Sequence, residues 1–216
     1  MKLNLPNITL LVLHMTGKPF PISGLEECIK HADFGDIRVL TSDKNFYHPE
    51  INAKIIPPIR TMDEYSLFFI KDFWRTFDTD FCLTAHPDGF IVNPECWTNE
   101  FLNYDYIGSP WNLQGSRFRD KLGHPAVGNG GFSLRSKKIC RYVSENYLVI
   151  NDNEDKYYSN CLDCDKPDHI KYPPVNLALQ FAQETLLDKN IRPFGFHNHT
   201  QYTPGGKYWY EIWKNS

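Results

Sequence analysis

The sequence predicts an α/β fold built on a parallel sheet. Three observations carry that expectation. An apolar run, Ile8 to Met15, is followed by a short helical stretch from Gly24 to His31 and a second extended run, Ile37 to Thr41. Strand, helix and strand in that order imply a crossover, and crossovers join parallel strands. A third apolar run, Phe81 to Ala85, ends in the sharp turn His86-Pro87-Asp88-Gly89. In such sheets ligands bind beyond the carboxyl ends of the strands, which points to His14, Thr41, Ser42 and the His86 turn.

The remaining elements follow from periodicity and turn chemistry. Gly17-Lys18-Pro19-Phe20-Pro21 is a loop, and Pro57-Pro58 closes an extended segment. Met62 to Phe77 has a helical pattern, and Phe90-Ile91-Val92 is extended. Tyr104 to Trp111 is a compact aromatic segment bent by Gly108 and Pro110, and Asn112 to Pro125 is a polar excursion. Val127 to Arg135 returns to an extended element, and Ser136 caps a helix running to Val149. Asn151 to Asp155 is an acidic turn, Pro174 to Leu187 is helical, and Pro193 to His197 is the last notable element. Neither a repeat nor a long linker interrupts the chain, so residues 1–216 read as one domain.

Composition narrows the function. Of 216 residues, 41% are hydrophobic and 23% charged, with 15 Phe, 12 Tyr and 5 Trp, which excludes a disordered or low-complexity chain. The net charge of −3 excludes a broadly basic nucleic-acid binder. Thr9 and His14 interrupt the first apolar run, which is far short of the roughly 20 residues a membrane span needs. It also lacks the pattern of a secretory signal, so a cytoplasmic protein is expected, a placement compatible with peripheral work at a membrane surface. Of six cysteines, Cys28, Cys82, Cys96 and Cys140 are isolated. Cys161 and Cys164 form a C-x-x-C pair near His169, read as ordinary thiols, with a small metal clip or redox chemistry as alternatives.

Four constellations can carry chemistry. His86 and Asp88 alternate along an extended chain, so both can face one metal ion, or Asp88 can cap backbone amides in a plain turn. Gly128-Asn129-Gly130-Gly131 either walls a ligand or makes a bulge. Glu154 and Asp155 can divide acid–base labour, or form a solvated face. His197, among Phe194, Gly195 and Phe196, is either a ligand or a partly buried histidine.

Together these motifs make the chain similar to a family of short glycosyltransferase-like domains, known largely as a domain of unknown function and assigned to the GT-A (nucleotide-sugar) fold. The carrying segments are Thr84 to Phe90, Tyr104 to Trp111, Gly128 to Arg135, Asn153-Glu154-Asp155 and Pro193 to His197. The resemblance implies one GT-A-like domain with a mixed, mostly parallel central sheet flanked by helices. It implies a transferase moving a sugar from a nucleoside-diphosphate sugar to a glycan or other hydroxyl acceptor with Mn²⁺ or Mg²⁺. Asp88 matches the carboxylate of the family's metal motif, His197 its late histidine, and His86 stands where the family usually has glutamine. Asp155, with Glu154 beside it, matches the catalytic base, which takes the proton of an acceptor hydroxyl as that hydroxyl attacks the anomeric carbon, a direct displacement that inverts its configuration. Trp111, Asn129, Gly130 and Gly131 resemble the sugar site, with Trp111 stacking on a sugar face. His14, Thr41, Ser42 and Lys71 are expected to frame the nucleotide and its phosphates. The rival expectations are a metal-dependent phosphoryl transferase or hydrolase, and a carbohydrate-binding module without catalysis.

Overall fold

The structure is a computed structural model that describes residues 2–112, 115, 118–147, 152–164, 166–198 and 203–215. Its centre is a six-stranded sheet of β1 (Leu3–Leu13), β2 (Ala32–Thr41), β3 (Asn52–Ile55), β4 (Phe81–Ala85), β5 (Tyr106–Ile107) and β6 (Phe132–Ser136). The spatial order is β3-β2-β1-β4-β6-β5. β1 pairs in parallel with both β2 and β4, and β3 is parallel to β2. β6 runs antiparallel between β4 and β5. The expected mixed, mostly parallel sheet flanked by helices is therefore what the chain forms.

The middle strands are apolar because both of their faces are covered. Ile8, Leu10, Leu11 and Val12 of β1 pack with Val39, Leu40, Cys82 and Leu83 of its neighbours in one continuous core. α1 (Ser23–His31) joins β1 to β2, and Gly24 lets its first turn lie on the His86 turn. A Cβ at Gly24 would sit 2.1 Å from the His86 carbonyl oxygen. α2 (Met62–Lys71) starts at a reciprocal cap, with Thr61 accepting from the Glu64 amide and Glu64 accepting from that of Thr61. α3 (Lys137–Asn146) is capped by Ser136, whose hydroxyl accepts from the Ile139 amide at 3.1 Å.

The chain differs from expectation at several ends. α2 stops at Lys71, because Asp72 leaves helical geometry, and a single 3₁₀ turn covers Phe73–Arg75. The acidic segment is α4 (Glu154–Tyr158), a short helix rather than a turn. The expected helix from Pro174 to Leu187 is only α5 (Val175–Phe181). Its next residues extend as β7 (Ala182–Gln183), drawn out by pairing with β8 (Gly195–Phe196). α6 (Pro204–Lys214) closes the fold. Val149 and Asn151, the expected bounds of the third helix and the acidic turn, lie outside the described residues. Among those residues, no helix is long and apolar enough to cross a membrane.

Candidate functional site

β1 is followed in sequence by its neighbour on one side and flanked on the other by β4, so the strand order reverses between them. The crevice at the carboxyl ends of β1 and β4 is where an open α/β sheet offers a ligand site. The His86 turn occupies it directly after β4. The His86 amide donates to the Gly131 carbonyl at 2.9 Å, and the Gly89 amide closes the turn on the His86 carbonyl.

β8 brings His197 to the same place. Its Nε2 lies 3.5 Å from Asp88 Oδ1, and its Nδ1 lies 3.2 Å from Glu184 Oε1. The His86 and His197 rings meet edge to face at 5.5 Å. Behind His86, the Tyr65 hydroxyl lies 2.9 Å from Nε2. The Asn198 amide donates to the Asp88 carbonyl at 2.9 Å, clamping the two segments together. Ligand atoms of His86, Asp88 and His197 lie within 4.8 Å of one another.

These groups perturb one another. Burial and then the neighbouring His197 hold the His86 imidazole down at about 3. Burial alone would raise Asp88, but the His197 hydrogen bond and charge outweigh it and hold the carboxyl near 2. Burial likewise disfavours a charged His197, yet Asp88 and Glu184 together raise it to about 10. His197 Nδ1 and Glu184 Oε2 are buried without an aligned hydrogen bond. Two imidazoles and a carboxylate converging on one point fit a divalent cation.

The glycine run makes room for this arrangement. A Cβ at Gly131 would fall 1.9 Å from His197 Nε2, and one at Gly130 would fall 2.7 Å from Glu154 Oε1 and 3.2 Å from Asp155 Cβ. Adjacent residues thus face the imidazole and the acidic pair. Gly131→Ala is expected to cost about 1–3 kcal/mol through overpacking. Removing the imidazole should recover part of that loss, so Gly131→Ala and His197→Ala should be non-additive in a denaturant-midpoint cycle.

α4 separates the two carboxylates. Glu154 turns inward, is 6% exposed, and lies 3.6 Å from Arg135 Nη2. Arg135 is fully buried, with its guanidinium over the rings of Phe69 and Tyr158 at 5.0 and 4.4 Å. It also donates to the Gly130 carbonyl at 3.2 Å. Asp155 is partly exposed. Burial and then the charge of Glu154 push its carboxyl well up, against the pull of Arg135.

The other expected site residues fare unevenly. Asn129 braces the run, its Oδ1 accepting from the Gly131 amide at 3.0 Å. His14 and Thr41 meet at the carboxyl ends of β1 and β2, at 2.9 Å. His14 is further tied to the Lys18 carbonyl and stacked on Phe20 at 3.9 Å. Thr41 is fully buried, so it shapes that loop without offering a surface, whereas Ser42 bonds Thr16 at 2.9 Å.

Two expectations need correction. Lys71 is not brought to the crevice, because it sits about 9 Å along α2 from Tyr65 and donates to the Tyr147 carbonyl. Trp111 is 5% exposed and offers no free ring face. A Gly128 Cβ would lie 2.4 Å from the indole, which also meets the Phe118 ring edge-on at 5.4 Å. Sequence reading missed Tyr65, Glu184 and Arg135. Only Arg135 carried a signal, a cation in the otherwise buried run Phe132 to Ser136.

Among solved structures, the chain is similar to the apo form of the glycosyltransferase GlyE from Streptococcus pneumoniae TIGR4. The identity is 10% and the TM-score 0.44, over 99% of this chain and 60% of that one. No curated protein matches. The profile of a family described as a protein of unknown function, DUF5672, matches residues 50–197, from just before β3 to His197 itself. That span holds the His86 turn, the glycine run, the acidic pair and the late histidine, and the chain belongs to the DUF5672 family.

Proposed function

We propose that this chain is a metal-dependent glycosyltransferase that moves a sugar from a nucleoside-diphosphate sugar to a hydroxyl of a glycan or other acceptor. The observation that carries it is the meeting of Asp88 and His197 at the sheet's switch point, with Asp155 across the two glycines. Asp88, His197 and His86 would hold Mn²⁺ or Mg²⁺. Their 3.5 Å Asp88–His197 separation suits two ligands of one ion better than a strong direct hydrogen bond. Held there, such a cation would supply neutralisation of the charge that develops on the leaving diphosphate.

The chain's own residues supply the rest. Tyr65 fixes His86 through Nε2, leaving Nδ1 for a ligand, and Glu184 orients His197 from behind. Gly130 and Gly131 leave the sugar space against the main chain. Asp155, the more exposed carboxylate, takes the proton from the acceptor hydroxyl, while Arg135 occupies Glu154. The acceptor oxygen so activated bonds to the anomeric carbon from the face opposite the diphosphate as the carbon–diphosphate oxygen bond breaks, and this single displacement inverts the anomeric configuration.

Calorimetry with a panel of nucleoside diphosphates, with and without Mn²⁺, tests this function. Metal-dependent diphosphate binding that weakens at least about tenfold in Asp88→Asn, which is about 1.4 kcal/mol, is the expected result. Glycan binding without metal would mark a binding module instead, and phosphate release from simple esters a hydrolase.

A further inference from the structure

We propose that Cys161 and Cys164 form a reversible thiol–disulfide pair that exchanges with a low-molecular-weight disulfide of the glutathione type. The pair lies in the loop after α4, far in sequence from the metal-binding candidates. The Cys164 amide donates to the Cys161 carbonyl at 3.1 Å, closing a four-residue turn. Such turns hold the outer Cα atoms within about 7 Å, and a disulfide spans about 4.4–6.8 Å, so the bridge can form with little backbone movement. The Cys161 thiol itself meets the Lys156 carbonyl at 3.7 Å, on the α4 side of the turn.

A metal clip fits less well. Among the described residues, the His86, Asp88 and His197 group is the one with three potential ligands in reach of one ion. Among the described residues, Cys161 and Cys164 are therefore not joined by the third and fourth ligands that a structural zinc site requires.

The surroundings prepare one sulfur for attack. The Cys164 thiol is the main influence that brings Cys161 down to about 6. Burial opposes this, and Ser159 and the Lys166 charge assist. Its neighbour Cys161, aided by burial, pushes Cys164 up, which favours Cys161 as the attacking sulfur. Lys166 is held in place by the carbonyls of Ser159 and Cys164, at 2.6 and 2.8 Å. Ser159 ties the turn to α4, accepting from the Cys161 amide at 3.3 Å and donating to the Lys156 carbonyl at 2.9 Å. Both sulfurs are nearly covered by protein but line a cavity of about 330 Å³ with Asn160, Lys166, Ile170 and Tyr172. That opening suits one arm of a small disulfide rather than a protein partner. The other cysteines contrast: burial raises Cys28, Cys82, Cys96 and Cys140, which keeps them protonated thiols.

The exchange balances. The Cys161 thiolate attacks one sulfur of the small disulfide, its S–S bond breaks, and one small thiolate leaves. Cys164 then gives its proton to a leaving thiolate and attacks the Cys161 sulfur, expelling the second small thiol. The pair is oxidised by two electrons, and the small disulfide is reduced to two thiols.

The test equilibrates the native full chain in glutathione buffers of graded potential, followed by acid quenching, alkylation and peptide mapping. A Cys161–Cys164 bridge that rises to near completion with oxidised glutathione, and reverses with excess dithiothreitol, is expected. Cys164→Ser should trap a glutathione adduct on Cys161, and Cys161→Ser should form at least about tenfold less adduct on Cys164, following the thiolate fraction. The wild-type measurement stands without either variant. Both cysteines remaining open to alkylation after equilibration with fully oxidised glutathione, or bridging only once the protein is denatured, would overturn the proposal.

Discussion

Asp155→Asn is expected to slow sugar transfer by about 10²–10⁴-fold, the usual worth of a positioned general base. Its affinity for a nucleoside diphosphate with Mn²⁺ should stay near wild type, because the carboxylate sits across the glycines from Asp88 and His197. The pH profile gives a second readout. Burial and Glu154 push Asp155 well up, and a base acts only when deprotonated. The wild-type rate should therefore rise with pH through that titration, and Asp155→Asn should lose this limb. Wild-type turnover by the variant would remove Asp155 from the chemistry.

Arg135→Met should act on the fold before it acts on catalysis. The guanidinium has no exposure and neutralises the buried Glu154 at 3.6 Å. Removing one member of such a pair strands the other charge and typically costs about 3–5 kcal/mol. Urea titration should show a lower midpoint at unchanged slope. The loss should also depend on pH. Burial already raises Glu154 above its ordinary value of 4.5, and without Arg135 nothing comparable pulls it back. A carboxyl raised in the folded state favours folding below its unfolded pKa and opposes it as pH rises. The variant should thus lie closest to wild type near pH 4 and fall behind toward pH 7. Adding Glu154→Gln should recover much of the loss, whereas a deficit that is flat with pH would argue that packing on Phe69 and Tyr158 dominates.

The sequence was most readable where one physical requirement dominated. Phe81 to Ala85 must be apolar on both faces, and β4 has those bounds. The Ser136 cap likewise acts locally. Prediction failed where distant partners decide. Leu177 to Phe181 is as apolar as a longer helix would be, but β8 pulls Ala182 and Gln183 into a ladder. Glu154 and Asp155 carry no helical periodicity of their own, so α4 was hidden. At the site, His86, Asp88 and His197 were legible as residue types in suspicious settings. The layer behind them was not: Tyr65 reads as an ordinary helical aromatic, and Glu184 lay inside an expected helix. Trp111 shows the reverse error, since a tryptophan beside glycines suits a stacking platform and a buried packing wedge equally well.

The place of β1 in the sheet also bears on how the protein is made. Of the six strands it comes first in the chain, yet it lies inside the sheet and needs neighbours on both edges. One edge is supplied by the nearby β2, the other only when Phe81 to Ala85 has been synthesised. At about 5–20 residues per second, that leaves an apolar strand half-paired on the ribosome for roughly 2–9 seconds between the ends of β2 and β4. Nascent chains stopped between β3 and β4 should accordingly be the species that chaperones hold most tightly, and slowed translation there should reduce the soluble yield.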